Sequence, residues 1–219
     1  MDVLNYQDKV KKFNQKIYRL EKYGLIKSSL HNNCKKVIYP STEFMQFSGL
    51  AQKGLINQDN VLHDACVTAV VTSFLKYDLA CSVDLPHEYK TKSTWKHYAI
   101  EPDAILKLKQ GDEFFTIALE VELWRKDRKR VYEKMADYAK AIEYDYVFYF
   151  FADEFSFNSY VLRLKELTND SSYSFLKVEL LDKVVLVWNP FKENRVTDLR
   201  ESKVYHNENF KKLRELIGL

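Results

Sequence analysis

Glycine, proline and cysteine are scarce in this sequence, with five, four and three copies among 219 residues. Few glycines and prolines argue against long flexible linkers. The cysteines Cys34, Cys66 and Cys81 lack the paired spacing of a metal site, and an odd number argues against a disulfide framework. No apolar run approaches the length of a membrane span. We therefore expect reduced thiols in a cytoplasmic protein that does not enter a membrane.

Apolar and aromatic residues are plentiful, at 46% and 15% of the chain, which is ample for a hydrophobic core. The net charge of +3 hides an asymmetry between the two ends of the sequence. Residues 1–50 hold eight Lys and one Arg against four acids, a net charge of +5, which leaves −2 for the remainder. A basic N-terminal part beside a mildly acidic remainder favours nucleic-acid contact at the front of the chain.

The N-terminal residues 2–23 are predicted to form a helix, because six apolar residues recur at alternating spacings of three and four. These residues are Val3, Tyr6, Val10, Phe13, Ile17 and Leu20. Gly24 stands where a glycine commonly follows a helix end. Residues 25–30 and 35–39 then predict a hairpin, which Pro40 ends.

A basic helix followed by a basic hairpin is typical of the recognition helix and wing of a winged helix. The side chains expected to meet DNA in this part are Lys12, Lys16, Arg19, Lys35 and Lys36. The same apolar stripe also fits a helix that pairs with a second copy of the chain as a coiled-coil homodimer. The sequence leaves both interpretations open.

An acidic strand follows in the middle of the chain. Residues 114–123 alternate between an apolar face and a face that ends in Glu120 and Glu122, which predicts a strand with both acids on one side. A turn containing Gly111 favours a hairpin that brings Asp103, on the preceding strand, near these acids. Converging carboxylates repel one another, and a hard cation such as Mg²⁺ or Mn²⁺ commonly offsets that cost. Ordinary solvated strand residues are the alternative.

Basic residues flank the acidic strand. Arg125 and Arg128 belong to a dense basic cluster at the start of the next helix, where they are expected to hold a phosphodiester. Lys134, further along that helix, either points back over the acids or reaches solvent. His63, at the polar start of a helix predicted over residues 59–77, is a further catalytic candidate; its neighbour Asp64 is a weaker one.

The remaining segments predict ordinary elements of a mixed sheet. Residues 79–88 predict a strand, residues 144–151 a central aromatic strand, and residues 154–167 a helix. Residues 89–98 are basic and aromatic, which is typical either of a loop that contacts nucleic acid or of a solvated loop. Three further segments complete the prediction: a hairpin of residues 175–181 and 184–188, an extended arm over 191–206 and a short basic helix over 207–218.

A family resemblance enters at these motifs. Pro102-Asp103, a turn, and Glu120-Val121-Glu122 resemble the core of PD-(D/E)XK nucleases. Glu122 stands where that family has its lysine; in some members the lysine has moved to the next helix, where Lys134 is the candidate. Over residues 5–150 the chain also resembles the replication-relaxation family of mobile elements. The matching features are the run from Arg19 to Ile26, Leu62-His63-Asp64, Pro102-Asp103-Ala104, Glu120-Val121-Glu122, and Lys134 with Tyr138.

The resemblance implies an α/β (α+β) fold with three parts. These are a winged-helix-like DNA-binding module over residues 1–50, a PD-(D/E)XK nuclease-like mixed-sheet domain over 55–190, and a C-terminal arm and helix over 191–219. It implies a DNA-binding protein of a plasmid or phage that acts as a divalent-metal-dependent endonuclease or nickase. Asp103 and Glu120 would hold Mg²⁺ or Mn²⁺, and Glu122, Lys134 and His63 would complete the catalytic set. The alternatives are a catalytically inactive DNA-binding regulator or replication accessory factor, and a protein–protein adaptor.

Overall fold

The computed structural model describes residues 3–31, 35–47, 61–86, 100–124, 126–189, 191–192 and 195–218. The chain divides into two units, Met1–Gln58 and Asp59–Leu219. No helix among the described residues is both long and apolar enough to cross a membrane.

The first unit follows the helix and hairpin that the sequence predicts. Its elements are α1 (Val3–Lys22), β1 (Ile26–His31), β2 (Lys35–Pro40) and α2 (Thr42–Phe47). Strands β1 and β2 pair antiparallel, with Ile26 opposite Pro40 and His31 opposite Lys35. Gly24 ends α1 with a positive φ of 66°, and its N–H donates to the Glu21 carbonyl. A residue without Cβ is favoured there because a side chain would strain the left-handed backbone.

The second unit contains the larger set of elements. They are α3 (Val61–Lys76), β3 (Ser82–Asp84), β4 (Ala104–Gln110), β5 (Glu113–Glu122), α4 (Arg128–Lys140), β6 (Tyr146–Phe151), α5 (Glu154–Asn169), a 3₁₀ helix (Ser171–Leu176), α6 (Lys177–Lys183), β7 (Val184–Trp188), β8 (Phe191–Lys192), β9 (Arg195–Val196), a short 3₁₀ turn (Leu199–Glu201), β10 (Lys203–His206), β11 (Asn209–Lys212) and α7 (Leu213–Leu216).

Seven of these strands form one mixed sheet in the order β11-β10-β7-β6-β5-β4-β3. Strands β5, β6 and β7 run parallel to their neighbours in that group, whereas β3, β4, β10 and β11 pair antiparallel. The predicted α/β class with a mixed sheet is therefore confirmed. The aromatic strand β6 occupies the middle of the sheet, as its lack of solvent-facing positions predicts.

Helices cover both faces of the sheet. On one face, apolar residues of α4, α5 and α6 pack against alternate sheet residues that include Ala118, Tyr149 and Leu186. On the other face, α3 and α7 pack against the intervening residues, such as Leu119 and Phe150. Alternation of side chains along each strand supplies both cores from the same strands.

The predicted hairpin of residues 175–181 and 184–188 is wrong in its first half. Residues 171–183 form the 3₁₀ helix and α6, and only Val184–Trp188 is a strand. Because β7 runs parallel to β6, the chain must cross back over the sheet, which a two-residue turn cannot do. Leu176 and Leu180, four residues apart, are both buried, as helical spacing requires.

The predicted C-terminal arm and helix are also wrong in most of their length. Strand β10 pairs with β7 inside the main sheet, and both Val204 and Tyr205 are buried. Asn207 and Glu208, each with positive φ, form a two-residue turn into β11. Positive φ at both positions matches the twist of a hairpin, but Asn-Glu is a weaker signal for it than Asn-Gly. Helix α7 covers only Leu213–Leu216.

The strand predicted over residues 79–88 is confirmed only in its centre. Strand β3 covers Ser82–Asp84 and pairs with β4 at the edge of the sheet. Leu79 and Ala80 are buried before the strand begins. The basic and aromatic segment 89–98 lies outside the described residues.

Candidate functional site

The antiparallel pair β4–β5 places Asp103 beside Glu120. Ala104 is opposite Leu119, and the Asp103 N–H donates to the Leu119 carbonyl at 2.9 Å. Asp103 therefore stands one residue before this pairing begins, next to Glu120, and its negative charge contributes to the raised pKa of Glu120. The structure thus brings together the two acids that the sequence nominated as metal ligands.

His63 reaches Asp103 from helix α3. Its Nε2 lies 3.2 Å from Asp103 Oδ2 and 3.1 Å from the Val121 carbonyl oxygen. Asp103 Oδ2 also accepts the Val121 N–H at 2.8 Å. The carboxylate thereby takes the place of a main-chain carbonyl oxygen just before β4 begins. Asp64, the weaker candidate, is exposed and its Oδ1 is 3.7 Å from His63 Nδ1.

The contact between His63 and Asp103 favours the charged form of both groups. The hydrogen bond to Asp103 raises the pKa of His63 to about 9, although burial opposes this shift. Burial alone would raise the pKa of Asp103, but the hydrogen bond and positive charge of His63 hold that pKa below its usual value. At neutral pH this end of the site is therefore an imidazolium–carboxylate pair.

Glu120 is almost completely buried, at 1% exposure, and both carboxylate oxygens have partners on α4. Lys134 Nζ lies 2.5 Å from Oε2, and the Tyr138 hydroxyl donates to Oε1. Burial raises the pKa of Glu120 to about 7, although the Lys134 charge opposes this shift. The sequence leaves open whether Lys134 reaches solvent or points back over the acids. Its contact with Glu120 shows that it points back over the acids.

Glu122 lies two residues further along β5 and is equally buried. Its Oε1 accepts from Lys126 Nζ at 2.7 Å, whereas its Oε2 has no hydrogen-bond partner among the described residues. The hydroxyls of Tyr149 and Tyr160 are likewise buried without a partner in the described part of the chain. The resulting layer is rich in carboxylates and phenols beneath α4 and α5.

Helix α4 is fixed at its start, which positions Lys134 and Tyr138. Asp127 caps the helix, because its side chain accepts the N–H groups of Lys129 and Arg130. The cap offsets the unfavourable position of basic residues near a helix N-terminus. Before the cap, the buried Arg163 of α5 donates to the Lys126 carbonyl at 2.8 Å and holds the connection from β5.

The other predicted nucleic-acid contacts are placed less completely. Arg128 donates to the Tyr132 hydroxyl and lies 3.2 Å from Glu166 Oε2, so its guanidinium is engaged with α5. Arg125 lies outside the described residues. Lys12, Lys16 and Arg19 are exposed on α1. Lys35 and Lys36 lie on β2, and their side chains are outside the described set.

Sequence reasoning missed four residues of this layer: Lys126, Tyr149, Tyr160 and Arg163. A signal existed for Lys126, which stands four residues after Glu122 in the basic cluster. Tyr149 is one of several aromatic residues in β6, and nothing in the sequence distinguishes it from them. Only the parallel pairing of β5 with β6 places it beside Glu120. Tyr160 and Arg163 come from α5, whose position over this face the sequence does not specify.

Comparisons with known proteins identify no relative: no family model, no curated protein and no solved structure matches this chain. Within the described ranges, no three His, Cys, Asp or Glu side chains converge on a point that would suit a metal ion. The acids of the site instead face His63, Lys126 and Lys134.

Proposed function

We propose that this chain is a DNA-binding protein whose second unit resembles a PD-(D/E)XK nuclease and hydrolyses phosphodiester bonds with a divalent metal. One observation carries the proposal: Asp103, just before β4, is hydrogen-bonded to the β5 residues on either side of Glu120, and Lys134 contacts Glu120 itself. The order α3, β3, the hairpin β4–β5, α4 and β6 supports it, since it matches the order expected for the nuclease-like core.

The paired acids fit a hard divalent cation. Carboxylate oxygens are the ligands that Mg²⁺ and Mn²⁺ prefer, and Mg²⁺ commonly uses only one or two protein carboxylates together with substrate phosphate. The Lys134 ammonium must leave Glu120 Oε2 for that oxygen to act as a ligand. Its side chain is 26% exposed, so its end has room to turn outward. When bound at Asp103 and Glu120, the ion would polarise the scissile phosphate and lower the pKa of a water molecule.

The protein's own residues have separate roles in this proposal. His63 keeps Asp103 ionised and holds one of its oxygens in place. Tyr138 orients the Glu120 carboxylate through its hydroxyl. Lys134, once released from Glu120, stabilises the negative charge that develops on the phosphate.

Features of the first unit support a further contact with DNA. Its basic helix and antiparallel hairpin are the parts expected of a winged-helix-like module, and the exposed Lys12, Lys16 and Arg19 suit phosphate. Phe13 and Leu20 are also exposed on α1, which favours the proposed pairing with a second copy. Light scattering of the full chain tests that pairing.

Cleavage of supercoiled DNA in Mg²⁺ or Mn²⁺ tests the proposal. We expect nicked or linear product from the wild type and none from Asp103→Asn or Glu120→Gln. Glu133→Gln is the matched control, because Glu133 is an exposed acid on α4. Titration calorimetry with Mn²⁺ should show binding that both site variants lose. Unchanged cleavage in either variant would remove these acids from the mechanism.

A catalytically inactive DNA-binding regulator is the second candidate. The observation that favours it is that cationic side chains already contact each of the three acids. His63 contacts Asp103, Lys134 contacts Glu120 and Lys126 contacts Glu122. In that case the full chain binds DNA with a steep salt dependence, whereas Mn²⁺ neither binds nor supports cleavage. The same two measurements therefore separate the candidates.

A further inference from the structure

Glu122 and Lys126 form a second carboxylate–ammonium pair at the end of β5. Lys126 Nζ lies 2.7 Å from Glu122 Oε1, and the lysine side chain is 30% exposed whereas that of Glu122 is 2% exposed. The ammonium therefore lies at the boundary between the buried acid and the surface. Arg163 fixes the lysine's main chain by donating to its carbonyl, which leaves the side chain as the part that can move.

Two buried phenols lie in the same layer as Glu122. The rings of Tyr149 and Tyr160 are 6.0 Å apart, and each residue is 1% exposed. No hydrogen bond of ordinary geometry joins either hydroxyl or Glu122 Oε2 to another described residue. Burial raises the pKa of Tyr160, and the negative charge of Glu122 and a hydrogen-bonding contact with its carboxylate raise it further, so this phenol already lies against Glu122. Buried hydroxyls and carboxylate oxygens without a well-formed hydrogen bond are unusual in a folded protein.

This arrangement gives Glu122 alternative hydrogen-bond donors, so that Lys126 can leave it. A buried carboxylate cannot lose its cation without another donor, because an unpaired buried charge is strongly unfavourable. Tyr160 and Tyr149 are donors of the kind required. We propose that Lys126 contacts nucleic-acid phosphate, leaving Glu122 when DNA binds, and that the phenols then hold Glu122 as its positioning partners.

The inference rests on the proposed function and adds a second phosphate contact to the same site. Glu120 and Glu122 are two residues apart on β5, a separation of roughly 7 Å along a strand. Their lysines, Lys134 and Lys126, consequently present two positive charges along the strand direction. That arrangement suits neighbouring groups of one phosphodiester backbone, whereas a single charge suits an isolated anion.

The test is the salt dependence of binding to a short DNA duplex in EDTA, where neither metal nor cleavage contributes. Removing one lysine–phosphate interaction lowers the slope of log K against log salt concentration by about 0.9. We expect this reduction for Lys126→Gln and no reduction for Lys126→Arg. Lys129→Gln is the matched control, since Lys129 is a nearby lysine that is 84% exposed. An unchanged slope in Lys126→Gln overturns the inference.

Two further variants exclude a merely structural effect. The double variant Glu122→Gln with Lys126→Gln removes both charges, leaves no buried charge unpaired, and should show the same reduced slope. Tyr160→Phe removes a hydroxyl that lacks a well-formed hydrogen bond in the free protein, so it should change the melting temperature little yet weaken DNA binding. Wild-type affinity in Tyr160→Phe overturns the role of that phenol.

The outcomes also separate this inference from the proposed function. If the wild type binds DNA without cleaving it, the metal-dependent reaction is wrong while the slope measurement still decides the role of Lys126. If the wild type cleaves DNA and Lys126→Gln retains the full slope, only the role of Lys126 is wrong. If the wild type does not bind DNA at low salt, both are overturned.

Discussion

Lys134 Nζ lies 2.5 Å from Glu120 Oε2, and Tyr138, one helical turn later, donates to the other oxygen of the same carboxylate. Helix α4 thus supplies both partners of an acid that is 1% exposed. Asp103, beside Glu120, is held instead by His63 of α3. Helices from both sides of the sheet therefore supply the partners of two neighbouring acids.

Replacing Lys134 should destabilise the protein in a pH-dependent way. Above pH 7 Glu120 is charged, and removal of one partner of a buried ion pair costs on the order of 3 kcal/mol. Below pH 5 Glu120 is mostly protonated, because its pKa is about 7, and the loss should be small. Chemical unfolding of Lys134→Gln at pH 5 and pH 8 measures this difference. The exposed Lys140 provides the control variant Lys140→Gln, and equal losses at both pH values would contradict the prediction.

Replacing His63 should remove stability that the wild type has only at low and neutral pH. The pKa of His63 rises from 6.5 to about 9 on folding, so the folded state binds this proton more tightly. The contribution, on the order of 3 kcal/mol, is complete below pH 6.5 and is lost as the pH rises through 9. His63→Asn should therefore differ most from the wild type at pH 6. A difference that persists at pH 10 would show that the imidazole stabilises by packing alone.

Glu120→Gln should make the protein more stable above neutral pH. The pKa of Glu120 rises from 4.5 to about 7 on folding, so the wild type loses on the order of 3 kcal/mol between pH 4.5 and pH 7. Glutamine cannot ionise, and the variant should lack this decline. Unfolding free energies across that range measure it, with Glu133→Gln as the exposed control. A decline of wild-type size in Glu120→Gln would contradict the raised pKa.

Asn189 should be important for holding the C-terminal strands to the sheet. It is 1% exposed, donates to Ser202 Oγ at 2.8 Å and accepts the Thr197 N–H at 3.0 Å. Asn189→Ala leaves these groups without their partner, at a cost of about 2 kcal/mol. Thermal unfolding measures the loss, and Asn169→Ala on the exposed end of α5 is the control. No loss relative to that control would contradict the prediction.

The basic helix of the first unit should contribute to DNA binding through charge alone. Replacing Lys12, Lys16 and Arg19 with Gln should reduce the salt slope of binding by up to about 0.9 for each phosphate that the helix no longer neutralises. Affinity should fall to the same extent for unrelated DNA sequences, because interactions with phosphate carry no base information. A slope equal to that of the wild type would show that α1 does not meet DNA.

Local patterns were sufficient for the elements with a clear period or a specific end signal. The spacing of Val3 to Leu20 and the glycine at Gly24 predict α1 and its end correctly. Strict alternation in residues 114–123 predicts β5, and the Gly111 turn predicts the β4–β5 hairpin. These signals are local, since helical period, strand period and turn geometry depend on residues close in the chain.

Segments whose neighbours are distant in sequence were predicted poorly. Residues 175–181 have strand-like composition, yet the parallel order of β6 and β7 makes them part of a helical crossover. Strand β10 looks polar and extended in sequence, but pairing with β7 buries it. In both cases the position of another strand decides the structure.

The sequence by itself determined that Asp103, Glu120 and Glu122 stand near one strand end, because a short hairpin fixes their register. Only the tertiary structure decided how each acid is partnered: Asp103 by His63, Glu120 by Lys134 and Tyr138, and Glu122 by Lys126. The physical reason is that hairpin register depends on adjacent residues, whereas those partners depend on how helices pack on the two faces of the sheet.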